Sequence, residues 1–231
     1  MSQFSHIIPA QRASLVEERA QFIVRTYAHL LGAIVAFTLF EVALFKSGLA
    51  YVILQVIGGT SWLLVLGGFM VASWVASHFA HRVENMAGQY FGLALYIAAQ
   101  GILFVPLLAI ANSYADGIIA SAAGVTLLGF AGLTAVAFIT RKDFSFLRSF
   151  LLWGGIVAML LVVAAVLFGI HLGTFFSVAM VGFAGAAILY DTSNVLHHFP
   201  SNRYVGAALQ LFSSVALMFW YVLRIFIASR D

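Results

Sequence analysis

Seven apolar runs, each long enough to cross a bilayer, follow one another with little chain between them. A membrane-spanning helix needs ~20 mostly apolar residues. Runs of that kind fall at 22–45, 59–79, 86–111, 117–140, 146–170, 172–196 and 204–228. Hydrocarbon offers the backbone no hydrogen-bond partners, so such runs must satisfy themselves as helices. The expected fold is an all-α polytopic membrane bundle of seven transmembrane helices, with short links that make successive helices antiparallel neighbours. Composition agrees: 63% of the 231 residues are hydrophobic and 8% charged, against ~25% charged in a soluble domain. The chain divides into a polar N-terminal tail, 1–21, and one transmembrane domain, 22–231, without an internal repeat.

The few charges speak to topology. Arg12, Arg19, Arg25, Arg82, Arg141, Lys142, Arg148 and Arg203 collect on one side of the expected bundle, Lys46 and Arg230 on the other. Positive-inside reasoning puts the N-terminus in the cytoplasm and the C-terminus outside. The net charge of +3 rests on these span-end residues, which implies the lipid bilayer as partner and not nucleic acid. The first twenty residues lack the charged-then-apolar order of a cleaved signal peptide, so the first span is expected to direct insertion. The absence of cysteine excludes disulfides, thiol chemistry, cysteine zinc sites and iron–sulfur clusters.

Several features read as packing. Gly88 and Gly92 form a GxxxG pair, and the small residues of 182–187 make a face for close helix contact. Pro106 sits inside the third span and is expected to kink it. Trp62, Trp153 and Tyr204 fall where interfacial aromatics belong.

The polar groups inside the spans are few, and Asp191 is foremost. It lies in the segment FAGAAILYDTSNVLHHF, 183–199, several residues before the helix can leave the membrane. An ionisable group held in a hydrophobic span marks a functional site, unless it is near enough to the interface to reach water. Helical spacing places Asp191, Asn194 and His198 on one face, at i, i+3 and i+7. Gln210, Ser213 and Ser214 lie on the next helix, at the depth of Asp191 or a turn deeper, where they can donate hydrogen bonds to it. Arg82, at the same membrane face, is an alternative partner. Either contact lowers the cost of burying the carboxylate and would serve as a latch released by protonation. Glu41, a turn or so from Lys46, is expected to snorkel outward, as is Arg224. His29 is expected at the interface.

Enzyme chemistry finds little support. A serine nucleophile needs a histidine base in reach, and every histidine here lies near a span end. A metallohydrolase needs several converging ligands. His78, His81 and Glu84, or Asp191 with His197 and His198, are the groupings available, and both sit at helix ends. The sequence carries no phosphate loop, dinucleotide fingerprint or haem ligand pair, so no catalytic residue, cofactor or resident metal is expected.

Three segments carry a resemblance. TRKDFSFL at 140–147 resembles the link between the fourth and fifth spans of the Bax inhibitor (transmembrane Bax inhibitor motif) family. LYDTSNV at 189–195 resembles its sixth-span signature, and LRIFIASRD at 223–231 its C-terminus, with the TSN and ASRD pieces closest to the bacterial YccA-like branch. The resemblance implies a multi-pass protein of the bacterial inner membrane. For that branch it implies a regulator that binds the FtsH-type AAA membrane protease, with residues 1–18 as a cytoplasmic handle. For the family's calcium-leak members it implies a pH-sensitive pair of aspartates latched by a second-span arginine. Asp191 matches the first aspartate, Ser214 stands at about the position of the second, and Arg82 is offset by about a residue from the latch. A calcium ion prefers several oxygen ligands, so Asp191 alone makes conduction the alternative reading.

Overall fold

The computed structural model describes residues 9–82 and 85–230. Among them the chain forms eight helices: α1 (Pro9–Ser47), α2 (Leu49–Gly58), α3 (Trp62–Ala80), α4 (Met86–Tyr114), α5 (Ile118–Thr140), α6 (Leu147–Phe168), α7 (Thr174–His197) and α8 (Tyr204–Ala228). All but α2 have the length and apolarity to cross a membrane. Six of the seven expected spans fall within a few residues of an observed helix. The first differs: α1 is already helical at Pro9, and its membrane-length apolar stretch is Ser14–Ser47. Residues 1–8 of the expected tail lie outside the described part.

The link expected between the first two spans holds the short helix α2. Gly48 adopts the left-handed conformation, φ 80°, and ends α1 there. Glycine takes that conformation without the steric cost other residues meet. The apolar run that follows folds into ten residues, too few to span a bilayer.

Helix α8 is the hub. Fifteen of its residues are buried, and α1, α3, α4, α5 and α7 all pack on it. Lipid tails are as apolar as the side chains, so this packing is held by close van der Waals contact more than by hydrophobic burial. Phe104 of α4 is fully buried among Phe37 (5.2 Å), Phe219 (5.5 Å) and Trp220 (4.9 Å). Such aromatic pairs contribute about 0.5–1.5 kcal/mol each. Helix α6, in contrast, buries no residue and packs chiefly on α7.

The two glycines of the GxxxG pair do different jobs. A Cβ on Gly92 would stand 2.4 Å from the Ala76 carbonyl oxygen and 2.6 Å from the Ala80 nitrogen, so α3 and α4 touch backbone to backbone there. A Cβ on Gly88 would meet the side chain of its own cap residue Asn85, at 3.4 Å. Pro106 lies inside α4, which continues through it.

On α1 the buried positions are Phe22, Thr26, Leu30, Ala33, Phe37, Glu41 and Leu44. Their spacing of four, four, three, four, four and three is one helical stripe. Glu41 therefore turns inward, at 6% exposure, contrary to the expectation that it snorkels. Arg224 likewise stays half-buried and donates to the Leu172 carbonyl at 3.1 Å, closing the α6–α7 link. His29 is half-buried and sits between the Arg25 carbonyl (2.7 Å) and the Tyr90 hydroxyl (2.9 Å).

Candidate functional site

Asp191 lies six residues before the end of α7, about 9 Å inside it at 1.5 Å per residue. Gln210 and Ser214 lie six and ten residues into the antiparallel α8, so they reach the same depth and, at i and i+4, share one face. Gln210 Nε2 donates to Asp191 Oδ1 at 2.6 Å, and the Ser214 hydroxyl donates to Oδ2 at 2.5 Å. Asp191 is 4% exposed. Hydrogen bonds to an ionised group are stronger than neutral ones, and two of them stitch α7 to α8.

A third wall comes from further away. Tyr27 of α1 faces Thr192, Thr134 of α5 and Asp191 itself. The hydroxyls of Tyr27, Thr134 and Thr192 are buried and have no hydrogen-bond partner in good geometry, which is unusual for buried polar groups. The sequence reading missed Tyr27 and Thr134. It also passed over Thr192, although that residue stands next to Asp191 in the quoted signature.

The remaining candidates are placed elsewhere. Ser213, next to Ser214 but on another side of α8, accepts from the Tyr96 hydroxyl at 2.7 Å. Arg82 is exposed; its guanidinium bonds His78 at 2.8 Å and lies 5.1 Å over the Phe79 ring, while the Asp191 oxygens are held by Gln210 and Ser214. Asn194 is half-buried, and its carbonyl ends α7 by accepting from the backbone of His198 and Phe199. His198 caps the helix, exposed, with Nε2 3.0 Å from Asp143. The Asp191, Asn194 and His198 face thus divides between the bundle interior and the surface.

That last contact joins two of the quoted motifs. Ser193 Oγ, in the α7 signature, accepts from the Phe144 N–H at 2.9 Å. Asp143, in the α5–α6 link, accepts from Ser145 N–H at 2.9 Å and meets His198. The Ser145 backbone bond, then the histidine, hold the Asp143 carboxyl below its ordinary value. Arg19 of α1 closes the same end, donating to the Phe199 carbonyl at 2.5 Å and the His197 carbonyl at 3.1 Å. The His197 carbonyl is one of the orphan carbonyls a helix end leaves, and a cation is favoured there. Glu18 adds a hydrogen bond from Ser201.

Both Asp191 oxygens are engaged by donors, so a cation would have to displace Gln210 and Ser214 to bind. No cluster of three or more histidine, aspartate or glutamate side chains occurs among the described residues; Glu84 lies outside them.

Fold and site together define a polytopic helical membrane protein with a buried carboxylate clamped at the seam of its last two spans. Residues 19–231 match the family described as Inhibitor of apoptosis-promoting Bax1. The Escherichia coli K12 protein named Modulator of FtsH protease YccA is 34% identical over 148 residues, 61% of this chain and 66% of its own length. Its counterpart in a second E. coli strain is named Inner membrane protein YccA. An uncharacterized protein of Pseudomonas aeruginosa is 35% identical over 157 residues, 65% of this chain and 69% of its own. Bax inhibitor 1 of Schizosaccharomyces pombe is 28% identical over 171 residues, 71% of this chain and 61% of its own. The chain belongs to the Bax inhibitor family, and it is a multi-pass inner-membrane protein.

Proposed function

We propose that this protein is a non-catalytic regulator that binds the FtsH-type AAA membrane protease and modulates its action on membrane substrates, with its N-terminus in the cytoplasm and its C-terminus outside. The observation that carries the reading is the likeness to a protein named as a modulator of that protease. Two features of the fold support it. The start of α1 projects beyond the Arg19 clamp with Leu15 and Val16 exposed, at 54% and 71%, and residues 1–18 serve as the handle. The flanks of α6 stay free for lateral helix contact.

Gentle capture of the tagged protein from native membranes tests this. The protease is recovered near stoichiometry with the full chain, and regulation is lost when residues 1–18 are deleted while the bundle still inserts. Recovery of the chain alone defeats the proposal. A pH-sensitive calcium or cation leak gated near Asp191 is the second reading, favoured by the three buried hydroxyls, Tyr27, Thr134 and Thr192, gathered beside the carboxylate. It requires ion flux in liposomes that disappears in Asp191→Asn.

A further inference from the structure

The end of α3 lies beside the end of α7, with the His81 and Phe199 rings 6.2 Å apart. There α3 carries a concavity of about 380 Å³, lined by Trp74, Ser77, His78, His81 and Arg82. Trp74, His78 and Arg82 are exposed and stand at i, i+4 and i+8, on one side of the helix. Val71, three residues before Trp74, extends this stripe into the span and is exposed as well. The stripe is thus apolar inside the membrane and turns polar where α3 ends at Ala80.

Its polar end is a set of donors. Arg82 gives one N–H to His78 Nε2 at 2.8 Å, and the Phe79 ring backs its guanidinium at 5.1 Å. An arginine only donates, so His78 Nε2 accepts and the neutral ring carries its proton on Nδ1. His81 Nδ1 donates to the Ser77 carbonyl at 2.8 Å. Ser77 Oγ is 3.4 Å from that same nitrogen, which already carries a proton, so the hydroxyl keeps its own to donate. Among the described residues no carboxylate lines the concavity. The partial negative charge of a helix C-terminus opposes an anion, but here the last carbonyls are met. His81 covers that of Ser77, and the Arg82 N–H, at 3.2 Å, covers that of Phe79.

We propose that this concavity binds the headgroup phosphate of an anionic phospholipid, with an acyl chain laid along Trp74 and Val71. Arg82 supplies the charge and a planar fork that matches phosphate oxygens. His78 and Ser77 supply neutral donors beside it. Val71 lies roughly 16 Å along the axis from Arg82, at 1.5 Å per residue. One leaflet's share of a ~30 Å hydrocarbon core has that depth. A phospholipid therefore meets the stripe with both its head and its chain, whereas a free anion uses the polar end alone. A zwitterionic lipid brings an ammonium for which the lining offers no carboxylate.

The test titrates the delipidated full chain in detergent with dioleoylphosphatidylglycerol or dioleoylphosphatidylcholine and counts bound lipid by native mass spectrometry. The wild type binds phosphatidylglycerol at least about tenfold more tightly, because the choline cation offsets the pull of Arg82 on the phosphate. Arg82 is exposed, so Arg82→Gln keeps the fold, which its melting temperature checks, and it abolishes the preference. Arg148→Gln removes an exposed cation at the same membrane end and leaves the preference intact. Equal binding of the two lipids overturns the proposal. A preference that survives Arg82→Gln, or that Arg148→Gln abolishes equally, is a diffuse charge effect and overturns it too. Inorganic phosphate that displaces the lipid at equal concentration assigns the concavity to a free anion and overturns it as well.

Discussion

Removing the Ser214 hydroxyl tests the Asp191 clamp more sharply than removing the carboxylate. In Ser214→Ala, Oδ2 of a carboxylate that is 4% exposed loses its donor, which sits at 2.5 Å. A hydrogen bond to a charged group contributes about 1.5–3 kcal/mol, and leaving its partner buried and unmet costs a similar amount. The expected loss is about 2 kcal/mol, or about 4–8 °C in melting temperature for a chain of this length. Asp191→Asn keeps the shape. Its amide oxygen still accepts from Gln210, and its amide nitrogen donates to Ser214, whose hydroxyl rotates to accept. That variant should lose less than about 1 kcal/mol. The double variant strands the asparagine nitrogen instead of a carboxylate, so its effect is not the sum of the two, with a coupling of about 0.5 kcal/mol or more. Thermal unfolding in detergent, followed by tryptophan fluorescence, ranks the three proteins. If Asp191→Asn melts as low as Ser214→Ala or lower, the two donors are not what joins α7 to α8, and the reasoning fails.

Two further outcomes follow from the packing and the cytoplasmic-end contacts. Gly92→Ala forces α3 off α4, because its Cβ would stand 2.4 Å from backbone, and should cost about 1–3 kcal/mol. Gly88→Ala meets a side chain at 3.4 Å and should be neutral or stabilising, so parallel melting curves separate the two halves of the GxxxG pair. The Asp143 carboxyl is held below its ordinary 3.8, so its contribution is complete above that pH and is lost as pH falls through the lowered value. Melting temperatures of the wild type and Asp143→Asn should differ above pH 3.8 and converge as the solution becomes more acid. A gap that persists in acid would show that the carboxylate's charge is not what secures this link.

Depth was legible in the sequence and azimuth much less so. The spans follow from length and apolarity alone, and the ten-residue α2 escaped because a run that short meets no spanning rule. Asp191 announced itself as a carboxylate in an apolar run, and Gln210 and Ser214 were placed at its depth because a short loop makes α7 and α8 antiparallel. Arg82 passed the same depth test, yet it points to His78, since depth does not say which way a side chain turns. Tyr27 was invisible for a related reason: it comes from α1, far along the chain, and only tertiary packing brings it to Asp191. Glu41 shows how azimuth can be recovered from sequence after all. Its nearness to Lys46 suggested an outward path, but it continues the stripe of Phe22, Leu30, Phe37 and Leu44, all buried. A charged residue on the apolar stripe of its helix is carried inward with the stripe, because the packing of its neighbours fixes the rotation. Snorkelling is then open only to a side chain long enough to climb back to the interface. Glutamate is too short to do so from inside the bundle, so its carboxyl stays enclosed there, with Oε1 against the seam with Gly101 of α4.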